Sequence, residues 1–377
     1  MMRPVLTILA ALWLVLAYQQ AIAQSAGMLS AAEPVAVTPA GMQAWRVRYW
    51  TTDDRERPIE VTGMVVAPRN PRPATPRPVL AWAHGTSGVV ERCAPSLSEK
   101  FFASTPGLNE AIRRGYTVVA PDYPGLGSAM PHPYLGGVAT ARSVLDAVRS
   151  ARGIPGAAAS TRFAVWGESQ GGHAALWTGQ LARIYAPDLQ LVGVAAAAPP
   201  TDLVENLRAG GNPSVRAFLT AFVAYSWSQH FGAPLSTLGN RTTQGVITRL
   251  ARNNCNEPGM KPRLGTMLGT LSLRSALKNV DLGLIQPWAR IARENSPAAR
   301  PYGVPLLIAQ NPNDAIVGAE VTRRFARQMC GNGTRLRYLA IAGKGHQTSG
   351  ADSAGVTLDW IDARFARAAA PSDCGKI

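Results

Sequence analysis

After its first 25 residues the sequence lacks any apolar run of the roughly 20 residues that a membrane-spanning helix needs. The apolar run near the start, 5–18, follows Met1-Met2-Arg3 and precedes small residues that end at Ala23. This order is typical of a secretory signal peptide, so we predict a signal peptide at 1–23, cleaved after Ala23. An uncleaved membrane anchor is the alternative, but the run is short for a bilayer span. We therefore expect a soluble mature protein that is secreted or periplasmic.

Cysteine is scarce, and the sequence has no Cys-x-x-Cys pair. The missing pair argues against a zinc or dithiol redox site, and we predict no metal site. In an exported chain an even number of cysteines favours disulfides, here two. Spacing alone leaves three pairings open for the cysteines, which are Cys93, Cys255, Cys330 and Cys374.

Acidic residues are few, 23 against 38 lysines and arginines, which gives a formal charge of +15. The basic residues are scattered along the chain, without the interleaved aromatics of a nucleic-acid platform. We interpret the charge as solvated surface and predict no nucleic-acid partner, although transient contact with a lipid interface fits the same charge.

The most informative stretch begins at Phe163 as a buried strand and passes through Gly167-Glu168-Ser169-Gln170-Gly171. We predict a strand, a sharp turn with Ser169 at its tip, and a helix from Gln170 onward. So tight a turn drives the serine toward a left-handed backbone conformation, and the flanking glycines keep side chains out of the bend. The pattern is a nucleophile elbow, with an ordinary turn and a capping serine as the alternative.

Around this stretch strands alternate with helices, which predicts an α/β fold: a mostly parallel sheet with helices on both faces. Residues 24–40 are expected to form a flexible lead-in, and two alternating strands should form an antiparallel edge. The segment 201–301 has helical patterns and no convincing strand, which favours a helical cap. The predicted division is 24–200 for the first part of the core, 201–301 for the cap and 302–377 for the second part of the core. The predicted strands are 44–50, 59–67, 78–83, 116–120, one starting at 163, 189–196, 304–310 and 335–341.

A serine hydroxyl needs a base to take its proton, and the base needs an acid to orient it. On this scaffold the order along the chain is serine, acid, histidine. His346 follows the last predicted strand in a glycine-flanked loop and is our candidate base. His173 is expected one helical turn beyond the serine, with local contacts, and His230 is expected in the cap. Asp314 ends a strand and is our candidate acid. The competing acid is Asp202, but the spacing to Glu205 explains it as a helix cap.

A tetrahedral intermediate requires hydrogen-bond donors for its oxyanion. We expect one donor at the backbone N–H of Gln170. The second should come from Gly85-Thr86, in the loop after the strand at 78–83, with the N–H of Thr86 favoured. His84 is expected to shape this loop rather than to act as a second base.

These motifs together resemble the secretory lipase family, the group that includes Candida lipase A. The resemblance runs from about residue 40 to the C-terminus and depends on combined segments rather than on any one of them. The segments are His84-Gly85-Thr86, Cys93-Ala94-Pro95-Ser96, Asp122-Tyr123-Pro124-Gly125-Leu126-Gly127, Gly167-Glu168-Ser169-Gln170-Gly171-Gly172, Asn313-Asp314 and His346. The yeast-type member differs in the His-Gly-Thr loop, so its acyl-chain preference does not transfer.

The resemblance implies an α/β-hydrolase fold with a helical cap, and ester hydrolysis without a cofactor. It also implies the disulfides Cys93–Cys255 and Cys330–Cys374. We therefore predict a secreted serine ester hydrolase, of the lipase or esterase kind, acting on a lipid or other small-molecule ester. The alternatives are a serine peptidase or acyltransferase on the same fold, and a non-catalytic binding protein. The sequence does not predict the oligomeric state.

Overall fold

The computed structural model describes residues 26–69, 73–208, 211–257, 259, 261–343 and 345–377. The predicted signal peptide and its cleavage site after Ala23 lie outside these residues.

One nine-stranded sheet organises the chain, in the order β1-β2-β3-β5-β4-β6-β7-β8-β9. The strands β1 to β3 are antiparallel, β3 meets β5 antiparallel, and all pairs from β5 to β9 are parallel. The α/β prediction of a mostly parallel sheet is therefore confirmed. The strands are β1 (Leu29–Pro34), β2 (Met42–Thr52), β3 (Pro58–Pro68), β4 (Arg77–Ala83), β5 (Thr117–Pro121), β6 (Ala159–Glu168), β7 (Gln190–Ala197), β8 (Leu306–Gln310) and β9 (Leu336–Ala340).

The expected flexible lead-in at 24–40 is wrong for residues 29–34. Residues Leu29–Pro34 form β1, which pairs antiparallel with β2 from Leu29 opposite Tyr49 to Pro34 opposite Trp45. The strand carries no alternation of large apolar side chains, and none of its residues is fully buried. Its conformation comes from backbone pairing with the sheet edge, which periodicity in the sequence does not record.

Helices cover both faces of the sheet, and each face has its own apolar core. The helices α3, α4 and α10 contribute to one core, with Val144, Leu176 and Phe325 among the buried side chains. The helices α1, α2 and α11 contribute to the other, with Phe101 and Ile361. These helices are α1 (Phe101–Ser104), α2 (Leu108–Arg113), α3 (Gly137–Ala151), α4 (Gln170–Tyr185), α10 (Ala319–Gly331) and α11 (Ser349–Phe365).

Between β7 and β8 the described residues form helices and no strand. Their apolar side chains make a third core, centred on the fully buried Phe222, Trp227 and Trp288. That residues 201–301 form a cap with these boundaries stays a prediction. Its helices are α5 (Leu203–Arg208), α6 (Pro213–Phe231), α7 (Arg241–Asn253), α8 (Leu264–Ala276) and α9 (Trp288–Asn295).

Two disulfides join parts of the chain that are distant in sequence. Cys93, in a short 3-10 turn after β4, bonds to Cys255, which follows α7. Cys330, near the end of α10, bonds to Cys374 in the C-terminal tail. These are the two pairs that the family resemblance implied. The first connects the segment after β4 to the helices between β7 and β8.

Candidate active site

Ser169 lies at the turn between β6 and α4, with φ 55° and ψ −119°. This is the positive-φ conformation expected at a nucleophile elbow, and it is strained for a residue with a Cβ. The Ser169 N–H donates to the carbonyl of Ala197, and its carbonyl accepts from His173. A Cβ at Gly171 would lie 1.9 Å from the carbonyl oxygen of Ala83, so only glycine fits there.

His346 lies in a short 3-10 turn between β9 and α11 and is buried. Its Nε2 is 2.7 Å from the Ser169 Oγ, and its Nδ1 is 2.8 Å from the Asp314 Oδ2. Because a carboxylate only accepts, Nδ1 carries the proton and Nε2 is free to accept from the serine hydroxyl. The structure thus brings together three side chains whose positions span 169 to 346.

Asp314 follows β8, and its carboxylate is held by several donors. Its Oδ1 accepts from the N–H groups of Ile316 and Val317, and its Oδ2 accepts from His346 and from the Gln310 amide. Burial by itself would raise the pKa of Asp314. The hydrogen bond and charge of His346, together with the two N–H groups, instead lower the pKa below its usual value. The carboxylate is therefore ionised and can stabilise a charged imidazole.

The competing acid and histidines have other partners. Asp202 accepts from the N–H of Glu205 and caps α5. His173 is buried against the carbonyl of Asn295, and burial lowers its pKa to about 4. His230 pairs with Asp54, at the turn between β2 and β3. None of the three side chains is hydrogen-bonded to Ser169.

His84 is placed where it can shape the loop after β4. Its ring stacks on Tyr123 at 4.2 Å, and its two nitrogens face the carbonyls of Gly85 and Asp122. Burial lowers the pKa of His84 to about 4, so the ring is neutral near pH 7. The Asp122 side chain in turn accepts from the N–H and hydroxyl of Ser96. Two of the segments that carry the family resemblance therefore meet directly.

The candidate oxyanion donors are unused within the described residues. The backbone N–H groups of Gly85, Thr86 and Gln170 donate to no described residue, although buried N–H groups are normally paired. A Cβ at Gly85 would lie 3.9 Å from that of Ser169, so this loop passes close to the serine. The Thr86 hydroxyl is hydrogen-bonded to the Tyr134 hydroxyl at 2.8 Å. Unpaired N–H groups therefore lie in the residue after Ser169 and in the loop that passes close to it.

Sequence reasoning missed three residues around this site. Glu168 accepts from the N–H of Gly350, next to the His346 turn, and burial raises its pKa to about 7. His132 accepts from the Gln170 side-chain amide at its Nε2, and its Nδ1 donates to the Pro124 carbonyl. The third is Tyr134. Nothing in their local sequence signals these contacts, since each depends on a residue at least eight positions away or on burial.

An apolar pocket lies beside Ser169 and opens to solvent. One wall comes from α5 and α6, and another from the residues after Asp314. Its aliphatic side chains suit an acyl or other apolar group better than a charged one. The lining includes Leu135, Leu203, Leu207, Val215, Leu219, Val223, Ile316 and Val317.

Across the described ranges, no cluster of three or more histidine, cysteine or acidic side chains is suited to hold a metal ion. The same ranges contain no helix that combines the length and apolarity needed to cross a membrane.

The sheet topology, the serine elbow and the strand-end acid and histidine define an α/β-hydrolase. Residues 103–251 and 273–372 match the sequence model of the secretory lipase family, and this chain belongs to that family. The resemblance to that family is thereby confirmed. Membership places the chain among hydrolases of the lipase and esterase class.

Two relatives each share about a quarter of their aligned residues with this chain. Lipase 5 of Candida albicans is 24% identical over 359 residues, which are 90% of this chain and 76% of the relative. A Mycobacterium tuberculosis protein named probable inactive lipase MT1628 is 24% identical over 354 residues, 87% of this chain and 75% of that one. The name of this relative indicates that similarity of this degree does not by itself establish catalysis.

Solved structures share the fold. Candida antarctica lipase A in its closed state has a TM-score of 0.75 at 19% identity, covering 93% of this chain and 85% of that one. The rice cell wall degrading esterase LipA from Xanthomonas oryzae has a TM-score of 0.65 at 19% identity, covering 90% and 97%. These similarities confirm the α/β-hydrolase fold.

Proposed function

We propose that the protein is an exported serine hydrolase that cleaves carboxylic esters, with a lipid or other small-molecule ester as substrate. The observation that carries the proposal is the continuous relay from the Ser169 Oγ through His346 to Asp314, at 2.7 Å and 2.8 Å. The unpaired N–H groups of Thr86 and Gln170 add hydrogen-bond donors for an oxyanion, which a hydroxyl–imidazole–carboxylate relay alone does not supply.

In the proposed reaction the Ser169 Oγ attacks the ester carbonyl carbon while His346 Nε2 takes the hydroxyl proton. The negative charge that develops on the carbonyl oxygen is stabilised by the N–H groups of Gln170 and Thr86, with Gly85 adjacent. Asp314 holds the imidazole in the required tautomer and stabilises its charge. His346 then protonates the leaving alcohol, and water, activated by the same histidine, hydrolyses the acyl-enzyme.

The proposal is tested with p-nitrophenyl esters from acetate to palmitate, using the wild type and Ser169→Ala. We expect kcat to fall by roughly 10⁴ to 10⁶ in the variant, with the folded structure retained. The matched control is Ser150→Ala, since among the described residues the buried Ser150 hydroxyl bonds only to the Ala147 carbonyl within α3. Comparable activity in Ser169→Ala would contradict the assignment.

Two further assays separate the alternatives. Hydrolysis of peptide amides, or acyl transfer to added alcohols in preference to water, would identify a peptidase or an acyltransferase. A folded wild type that is not labelled by a fluorophosphonate probe would instead indicate a binding protein without a reactive serine. We expect ester hydrolysis and Ser169-dependent labelling.

Export is supported by the two disulfides, because such bonds persist in oxidising compartments. We propose that the mature protein begins at Gln24. Mass spectrometry of the protein recovered from the periplasm or medium checks this, and an intact Met1 would contradict cleavage.

Transient lipid contact is supported by α8. Four large apolar side chains lie on one exposed side of this helix, at spacings of three, four and seven residues, and each is more than half exposed. Residues 261–278 contain four exposed basic side chains and no acidic one, which suits an anionic lipid surface. The apolar residues are Leu264, Met267, Leu268 and Leu271.

Sedimentation with phosphatidylglycerol vesicles tests this contact. We expect Leu268→Ser to weaken binding by about tenfold or more, since burial of one leucine is worth about 1.5 to 3 kcal/mol. Ile184→Ser is the matched control, because Ile184 is an exposed apolar residue on α4 of the core. Equal binding by both variants and the wild type would contradict contact through α8.

A further inference from the structure

The segment after α7 holds the loop that carries the candidate oxyanion donors of Gly85 and Thr86. The side chain of Asn256 donates from Nδ2 to the Thr86 carbonyl at 2.8 Å. The backbone N–H of Asn256 donates to the Ser87 carbonyl at 2.7 Å. Asn256 thus donates hydrogen bonds to two consecutive carbonyls of the loop.

The surrounding contacts fix this segment against the loop. Cys255, next to Asn256, is joined to Cys93 by a disulfide. The Arg92 guanidinium donates to the Arg252 carbonyl at 2.5 Å. At Gly88, where φ is +144°, an added Cβ would lie 2.5 Å from the Cys93 sulfur. The loop therefore has no room to shift toward the disulfide.

We propose that Asn256 is a positioning residue for the oxyanion hole. It holds the peptide between Thr86 and Ser87, while the Tyr134 hydroxyl holds the Thr86 side chain. With both anchors in place, the N–H of Thr86 has a fixed direction. The inference deepens the proposed function and rests on it, because it assumes that this N–H faces the developing oxyanion.

Neither family membership nor sequence pattern assigns this role. Asn256 lies in 252–272, the internal segment that the secretory lipase model does not match. It is 170 positions from Thr86 in sequence and exposed to solvent. Its effect on activity would come through Thr86, because Asn256 does not line the pocket beside Ser169.

The consequence is specific to the transition state. An oxyanion donor contributes most when negative charge is on the substrate oxygen, so a misdirected N–H lowers kcat and leaves KM nearly unchanged. Complete removal of one donor typically costs 10²- to 10³-fold in kcat. Asn256→Ala leaves the donor present and the backbone bond to Ser87 intact, so we expect a decrease of roughly tenfold.

The experiment measures kcat, KM and the inhibition constant of butylboronic acid, which forms a tetrahedral adduct with the serine. For Asn256→Ala we expect the inhibition constant to rise by about the same factor as kcat/KM falls. Asn256→Gln retains an amide donor and should recover part of the loss. Asn254→Ala is the matched control, because its side chain bonds only to Leu250 and Thr266 within the helical segment.

Ser169→Ala is measured in the same series, so that two failures can be told apart. If Ser169→Ala is inactive while Asn256→Ala matches the wild type in kcat and in boronic acid binding, the positioning role is wrong and the proposed function stands. An equal loss in Asn254→Ala, or a rise in KM with kcat unchanged, also overturns the positioning role. Activity in Ser169→Ala would overturn both proposals.

Discussion

The two sides of the candidate site are held by different parts of the molecule. Ser169, Asp314 and His346 follow the strands β6, β8 and β9, so the relay is attached to the parallel sheet. The loop of residues 84–88, named the oxyanion loop after the candidate oxyanion donors that it carries, follows β4. Its far end is held by Asn256 and Cys255, from the helical segment between β7 and β8. Changes in that segment should therefore affect the oxyanion side and leave the relay geometry intact.

The near end of the oxyanion loop belongs to the core. His84 stacks on Tyr123, and the Tyr123 hydroxyl donates to the His84 carbonyl at 3.0 Å. Tyr134 then connects the two regions, since its hydroxyl bonds to Thr86 and its carbonyl accepts from Trp227 of α6. The relay is thus attached to the sheet alone, whereas the loop after β4 is held by both the core and the helical segment.

The largest expected effect breaks the relay. Asp314→Asn should lower kcat by about 10⁴-fold, because an amide in place of the carboxylate no longer fixes the imidazole tautomer. Steady-state ester hydrolysis measures this. Asp202→Asn is the matched control, since Asp202 only caps α5 and asparagine caps equally well. Similar losses in the two variants would argue against Asp314 as the orienting acid.

A second change acts on the helical side. Trp227→Ala should lower the free energy of unfolding by about 3 to 5 kcal/mol, because Trp227 is fully buried in the third core. Urea unfolding followed by circular dichroism measures it. Trp227→Phe keeps part of the apolar contact but loses the bond to the Tyr134 carbonyl, so its cost should be smaller and combines the lost bond with a small cavity. A cost under about 1 kcal/mol for the alanine variant would contradict tight packing there.

The two disulfides give the most direct contrast between the regions. Replacing either pair by serines should cost about 2 to 4 kcal/mol of stability. Only the pair Cys93–Cys255 lies beside the oxyanion loop, so its removal should also lower kcat, whereas removal of Cys330–Cys374 should not. Thermal unfolding and ester hydrolysis of both double variants decide this. Equal kcat in the two would mean that the disulfide does not position the loop.

The smallest expected effect is a pH dependence on the relay side. Burial raises the pKa of Glu168 to about 7 from an ordinary 4.5. Between these values the folded protein keeps a proton that the unfolded chain loses, so the contribution to stability is complete below the window and lost as the pH rises through it. Glu168→Gln does not ionise, so its free energy of unfolding does not fall in this window. Relative to the wild type it should rise by up to about 3 kcal/mol between pH 4.5 and 8.

Urea unfolding at pH 3, 4.5, 6 and 8 measures the difference, and Glu110→Gln provides the opposite sign. The hydrogen bond with Arg114 lowers the pKa of Glu110 below its ordinary 4.5, so that variant should lose stability relative to the wild type as the pH rises toward 4.5 and change little above it. A difference between Glu168→Gln and the wild type that does not change with pH would show that Glu168 ionises normally.

Much of the relay could be predicted because its signals are local. Buried strands, turn glycines and a loop histidine are each read within about ten residues, and the order of serine, acid and histidine follows from the scaffold. The spacing between Asp202 and Glu205 likewise indicated a helix cap, which favoured Asp314 over Asp202 as the orienting acid. The structure places Ser169, Asp314 and His346 within hydrogen-bond distance, and their catalytic roles stay our proposal.

What the sequence determined by itself was the alternation of strands and helices, the elbow at Ser169 and the positions of the candidate acid and base, because these depend on periodicity and turn chemistry. The tertiary structure alone decided the pairing of the edge strand β1 and the burial that raises the pKa of Glu168. It also decided the hydrogen bond from Asn256 to the Thr86 carbonyl, 170 positions earlier. Each of these is a contact between distant segments, and a contact of that kind leaves no pattern in the residues on either side of it.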